Sequence, residues 1–389
     1  MNTIFLTANC KLNRIIFWEP CISPHKADFF AAVSAILPNV EIIYCADQDL
    51  PAERRALGWN VNCAELVKTV VSPNTTLIES LVFENCEQTL HIFSGTRHLP
   101  TLVLGLKAVK LCGARFAIMA EPRVFEGWQG IGRFLQSWLT EGWLRRNCEF
   151  VLAIGRNGPH WFKSVGYDAK KTFPFAYFVL PHNLTPVLLN TDTDLLVRIG
   201  YVGRLIKMKG IFDLAEAVRQ LGKPVHLTIV GAGSDENNLR KMCLEYDLSV
   251  DFKGVLPNQL IGEILQKLDV LVLASTSKDD GWGVVVSEAL MCGTAVVATH
   301  CVGASIMLEE PLFGNTISPN KPDEISHAIE RLEVNGAFLN QNRLARQELA
   351  KAKLSPDAGA RYFIEILNYR FGGGSVPLPF YSTQSNVAG

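Results

Sequence analysis

Three short segments hold residues whose type and spacing could do chemistry. Arg204 and Lys209 stand five residues apart just after an apolar run that ends at Gly203. A guanidinium presents a planar fork of donors and an ammonium a mobile point charge, so the pair suits a diphosphate. Arg204, Lys207 and Lys209 could equally be a solvated loop, and only their place at a strand's carboxyl end brings the two readings level. Val230-Gly231-Ala232-Gly233 supplies the first two glycines of a Gly-x-Gly-x-x-Gly run, with Glu236 where the third belongs. It also follows the second strand of its half, not the first, which disfavours a nicotinamide or flavin site. Gly231 and Gly233 then either make a tight turn or let a nucleotide approach the backbone.

The third segment runs from Ala274 to Gly293 and is the most informative. A strand ends, an acidic, glycine-bearing loop follows (Asp280-Gly281-Trp282-Gly283), and a helix opens at Val284. Free N–H groups and the positive end of the helix dipole make such a start an anion site. Glu288 lies just over one turn inside, flanked by apolar residues, an odd choice for a plain core helix. A carboxylate there can accept hydrogen bonds from both hydroxyls of a ribose. Asp280, eight positions earlier, faces a bound sugar or simply favours the helix start as a solvated acid.

The elements that must position these groups follow one rhythm, run twice. Short apolar runs at 15–17, 40–45, 90–93, 115–119 and 150–153 alternate with helical stretches at 24–37, 74–86, 99–112, 131–146 and 159–165. The polar, proline-bearing segment 186–196 reads as a linker. Strands at 197–202, 225–230, 250–252, 270–274 and 295–298 then alternate with helices at 211–221, 235–246, 258–268 and 284–292. Strands spaced by helices of that length imply parallel sheets covered on both faces, with ligands beyond the strands' carboxyl ends. The expected organisation is an α/β chain with an N-terminal domain at 1–185, the linker at 186–196 and a C-terminal domain at 197–355. A last helix at 356–371 packs back on the first domain, and 372–389 is a flexible tail. Helix 131–146 carries apolar residues at helical spacing and reads as a core helix; a membrane-interface helix is the alternative.

Composition bounds the function. The chain has 389 residues, 48% hydrophobic and 19% charged, with Lys plus Arg 37 against Asp plus Glu 38 and a net charge of -1. It can bury full cores, and it lacks the basic surplus of a nucleic-acid coat. None of its ten cysteines forms a Cys-x-x-Cys pair. They read as buried thiols of a reducing compartment and not as a zinc site or disulfide frame. No secretory signal or long apolar span is legible, so a soluble, cytoplasmic protein is expected.

Together the segments carry a resemblance. Gly203-Arg204-Leu205 with Lys209-Gly210, Val230-Gly231-Ala232-Gly233, and Asp280-Gly281-Trp282-Gly283 with Glu288-Ala289-Leu290 and Cys292-Gly293 resemble, in order and spacing, the retaining glycosyltransferases of family 4. The resemblance covers about 197–330; the first half matches mainly in rhythm and length. It implies the GT-B fold, two tandem Rossmann-like doubly wound domains facing across a cleft. It implies transfer of a hexose-type sugar from a nucleotide-diphosphate donor to a hydroxyl of a glycan or lipid-linked acceptor, with retention of configuration, in surface polysaccharide biosynthesis.

It also implies roles. Arg204 and Lys209 hold the diphosphate and neutralise the leaving group, beside Gly203, Gly231 and Gly233. Glu288 binds the ribose, the backbone at Val255 touches the base, and Gly281, Trp282 and Gly283 lie against the sugar and distal phosphate. Glu121 contacts acceptor or donor sugar. No metal and no cofactor is essential. The partners are the donor and the acceptor, without nucleic acid, with peripheral contact at the inner face of a membrane as an option. The family pattern is departed from at Asp280, where Glu is usual, and at 19–25, which lacks a glycine pair. Two rivals remain: a GT-B nucleotide-sugar epimerase, and a non-catalytic nucleotide-sugar-binding subunit.

Overall fold

The computed structural model describes residues 11–59, 67–97, 99–123, 127–184, 196–278 and 281–382. The linker expected at 186–196 falls outside them except for its last residue, as do Asp280 and 383–389. The described residues form two compact units, one through Leu180 together with Ser355–Ser382, the other Pro181–Leu354.

The first unit holds strands β1 (Arg14–Cys21), β2 (Glu41–Gln48), β3 (Lys68–Val71), β4 (Thr89–Phe93), β5 (Arg115–Ala120), β6 (Val151–Ile154) and β7 (Thr172–Phe175) in the order β3-β2-β1-β4-β5-β6-β7. The second holds β8 (Val197–Val202), β9 (Val225–Val230), β10 (Val250–Gly254), β11 (Val270–Leu273), β12 (Ala295–Thr299) and β13 (Gly314–Ile317) in the order β10-β9-β8-β11-β12-β13. Every strand pairing is parallel. Parallel strands need crossover helices that cover both sheet faces, which is why the central strands are almost unbroken apolar runs. Each sheet reverses its order once, between β1 and β4 and between β8 and β11. Those switch points are where such sheets take ligands.

In the first unit, Phe17, Phe29 and Phe150 cluster round Phe363 of the helix Pro356–Phe371. That helix packs along Pro24–Ile36. The stretch 372–382, expected to be flexible, is held through Phe380, whose ring lies 5.5 Å from Phe178 and 5.8 Å from Tyr362.

Two other expectations are corrected. Strands β3, β7 and β13 were not legible in the sequence. Each is an edge strand, so none needs a continuous apolar run, and β7 tolerates Pro174. Helix 131–146 is two helices, Gly127–Thr140 and Gly142–Asn147, interrupted at Glu141. The first is not a core helix: of its residues only Gly130 and Ser137 are buried, whereas Trp128, Ile131, Leu135, Trp138 and Leu139 are exposed. Among the described residues no helix is long and apolar enough to cross a membrane.

Candidate functional site

The segments singled out in 197–293 meet at the carboxyl end of the second sheet. After β8 the chain turns through Gly203–Leu205 and passes Lys207–Lys209 in a single turn of 3-10 helix before Ile211–Gln220 begins. The turn is tied to the loop after β9 by Gly203 N donating to Val230 O at 3.0 Å and Leu205 N to Ala232 O at 2.9 Å. It is tied again by Lys207 N to the Asp235 carboxylate at 2.8 Å. The Tyr201 hydroxyl donates to Arg204 O at 2.8 Å. Arg204 is thus carried on a fixed backbone with its side chain exposed, and Lys209 is half-buried. Thr276 N donates to Met208 O at 2.9 Å, which ties the loop after β11 to the same turn across the switch point.

Gly231 and Gly233 are explained by this interlock. A Cβ on Gly231 would stand 1.9 Å from Gly203 O, and one on Gly233 2.2 Å from Leu205 O. The tight-turn reading therefore accounts for both glycines, because the β8 turn occupies the space a side chain would need. Val255 follows Gly254, whose carbonyl accepts from Gly231 N at 2.7 Å, and is 53% exposed at the end of β10.

The loop ahead of helix Val284–Met291 is pinned from below. Trp282 was expected against the transferred sugar. Instead its side chain is buried at 1% exposure, with the indole N–H donated to the Ser287 hydroxyl at 2.9 Å. Trp282 O and Gly281 O accept from Ala304 N at 2.7 Å and Gly303 N at 2.8 Å. Gly283 caps the helix in the left-handed region with φ 78°, and no side chain caps its first N–H groups. Uncapped N–H groups at a strand's carboxyl end can receive an anion.

Glu288 is buried on this helix. Desolvation raises its carboxyl pKa to about 7. Its Oε1 lies 3.8 Å from Nε2 of His182, a residue the sequence reading passed over. At that distance the two do not hydrogen-bond, and His182 Nε2 is buried without a hydrogen-bond partner. Burial lowers the imidazole pKa, so both groups are pushed toward their neutral forms. His182 fits only because position 262 is glycine: a Cβ there would stand 2.4 Å from His182 Cγ. No sequence signal marks this contact beyond an isolated glycine inside a helix.

In the first unit, Glu121 follows β5 and is hydrogen-bonded to the Tyr177 hydroxyl. It lines a cavity of about 180 Å³ together with Arg97, Arg123, Glu141 and Tyr167. Arg97 pairs with Glu141 at 2.8 Å, and the Tyr167 hydroxyl donates to the same carboxylate at 3.1 Å. At the β1–β4 switch point, where the resembled family has its glycine pair, this chain buries Glu19. Its carboxylate accepts from Ser94 Oγ at 2.5 Å and pairs with Lys26 at 3.3 Å. Among the described residues no group of three or more His, Cys, Asp or Glu is placed to hold a metal ion.

Residues 195–351 match the family model described as glycosyl transferases group 1. A putative teichuronic acid biosynthesis glycosyltransferase of Bacillus subtilis, TuaC, is 33% identical over 137 residues, 34% of this chain and 32% of its own. The N,N'-diacetylbacillosaminyl-diphospho-undecaprenol alpha-1,3-N-acetylgalactosaminyltransferase of Campylobacter jejuni is 29% identical over 192 residues, 48% of each chain. The similarity thus spans a third to a half of these curated relatives' length. HepE of Anabaena, crystallised with UDP and glucose, superposes with a TM-score of 0.66 at 17% identity over 92% of this chain and 99% of its own. Sucrose-phosphate synthase of Thermosynechococcus elongatus does so at 0.63 and 17% over 93% and 100%. At such identities the structures speak for the fold, and the sequence match speaks for the second unit. This chain has the GT-B fold, and its residues 195–351 match the family model of the glycosyl transferases group 1.

Proposed function

We propose that the protein transfers a hexose-type sugar, with retention of configuration, from a nucleoside-diphosphate donor to a hydroxyl of a glycan or lipid-linked acceptor. The observation that carries this reading is the interlock at the β8–β11 switch point. It presents Arg204 and Lys209 on one loop and the uncapped start of helix Val284–Met291 on the next. The bond from the anomeric carbon to the phosphate oxygen breaks, and one to the acceptor oxygen forms. The acceptor proton is released with the nucleoside diphosphate. Negative charge builds on the leaving diphosphate, and preorganised cations and N–H groups stabilise it where it develops, so a metal is not required. Glu288 takes the ribose hydroxyls, the backbone by Val255 the base, and Asp280 with Gly281 and Gly283 the sugar. Glu121 and its cavity serve the acceptor. HepE's bound UDP and the undecaprenol-linked name of the Campylobacter relative support a UDP-sugar as first donor and a lipid-linked acceptor. Such an acceptor would place a cytoplasmic protein peripherally at the inner face of a membrane.

The test is a thermal-shift screen against UDP, GDP, ADP and CMP sugars, since a ligand that binds the native state raises the melting temperature. Transfer by the stabilising donor is then followed by NMR of the product's anomeric proton. An inverted product removes the retaining mechanism, and no shift with any donor removes the transferase reading.

A further inference from the structure

Helix Gly127–Thr140 is turned the opposite way from an ordinary surface helix. At 3.6 residues per turn, Trp128, Ile131, Leu135, Trp138 and Leu139 fall within about 100° of arc. They are 87%, 52%, 52%, 51% and 81% exposed. The side that meets the rest of the unit is mostly small and polar, with Phe134 its one large apolar contact to the core. Gly130 and Ser137 are buried there, and Arg123 donates to Ser137 Oγ and Gln136 Oε1, each at 3.0 Å. The apolar stripe is therefore a coherent surface left uncovered by the fold, two of whose five residues are tryptophan.

Its C-terminal end is basic. From Thr140 to Asn147 the chain carries Arg145 and Arg146 and one acid, Glu141, which is buried and paired with Arg97, while Arg133 lies on the far side of the helix from the stripe. Arg145 closes the helix end by donating to Trp138 O at 2.7 Å and Ser137 O at 3.0 Å. Its guanidinium lies 5.3 Å from the Trp138 ring centroid. In a chain whose net charge is -1, this is a locally positive end to an apolar, tryptophan-bearing stripe. Indoles prefer the boundary of water and hydrocarbon, and arginines beside them meet anionic headgroups.

We propose that this stripe docks the protein, with the helix lying in the plane of the interface, on an anionic lipid surface. The docking itself stands on the helix alone. That it brings the enzyme to a lipid-linked acceptor rests on the proposed function.

The full chain is sedimented with phosphatidylcholine vesicles, with and without about a third phosphatidylglycerol, at low salt and at about 0.5 M salt. The wild type is expected to partition about tenfold more strongly onto the anionic vesicles, to lose that gain in high salt, and to shift its tryptophan emission to the blue. Leu135→Ser with Leu139→Ser should lower partitioning by about tenfold, and Arg146→Glu should remove most of the preference for anionic lipid. Both variants should keep the wild-type melting temperature, which separates lost docking from lost folding. Wild type left in the supernatant with both vesicles overturns the proposal, as does equal binding by the double serine variant. So does a dimer that the double variant abolishes and that vesicles do not dissociate, since a second copy then covers the stripe. Vesicle binding without any nucleotide-sugar binding would sink the transferase reading and leave the docking surface standing.

Discussion

Glu288 Oε1 and His182 Nε2 lie 3.8 Å apart in a pocket kept open by the missing side chain of Gly262. Neither hydrogen-bonds the other. Burial holds the carboxyl at a pKa of about 7 and lowers that of the imidazole. In the proposed site the ribose hydroxyls donate to Glu288, so on that reading the protonation state of this pair would bear on nucleotide binding as well as on stability.

The folded Glu288 carboxyl holds its proton more tightly than the unfolded one. Its stabilising contribution is therefore full below the ordinary value of 4.5 and is lost as pH rises through about 7. Glu288→Gln cannot ionise and loses nothing over that range. In urea unfolding between about pH 5 and about pH 8, the variant should gain on the wild type as pH rises. Parallel pH profiles would show that Glu288 is solvated in the folded protein. At about pH 8 the same variant should bind the preferred nucleotide more weakly, by about 1.5–3 kcal/mol.

Gly262→Ala should destabilise the protein by about 1–3 kcal/mol, because the new Cβ overlaps His182. Combining it with His182→Ala should recover most of that loss, since the obstructing ring is gone. A double-mutant cycle measures the coupling. Strictly additive effects would mean that the two positions do not press on each other.

Arg204→Ala and Lys209→Ala should each lower turnover by roughly 100-fold or more, as loss of preorganised charge stabilisation does. The Arg204 side chain is exposed, so the melting temperature of that variant should hardly move. Steady-state assays with the donor found by thermal shift decide the matter. Turnover near wild type in both variants removes the diphosphate assignment.

Trp282 separates an anchor from a ligand contact. As a buried ring bonded to Ser287, it should cost about 3–5 kcal/mol when replaced by alanine and about 2–3 kcal/mol when replaced by phenylalanine, which keeps the six-membered ring but loses the pyrrole part and its hydrogen bond. The phenylalanine form should bind nucleotide-sugar nearly as well as wild type. An alanine variant with unchanged stability and weakened sugar binding would contradict the buried role.

The residue pattern by itself carried the two-sheet α/β plan. Parallel strands buried on both faces must be apolar runs, and crossover helices must separate them, so β1, β2, β4–β6 and β8–β12 are legible as written. The motifs from Gly203 to Gly293 stand close together in the sequence, and all of them fall within the stretch 195–351 that matches the family model. The edge strands β3, β7 and β13 escape such reading, because only one side of each is paired and less of it must be apolar; β10, also at an edge, is legible from its place between two helices. Spacing also shows that apolar residues share one side of helix Gly127–Thr140, but not whether that side meets the core. Here the unit packs through Gly130, Phe134 and Ser137, and only the tertiary structure puts Trp128 and Trp138 outside. The same holds for Trp282, whose fate depends on Ser287 beneath it, and for His182. The histidine's partner Glu288 and the glycine that admits it are remote in the chain, and close contact between remote residues leaves no periodicity to read.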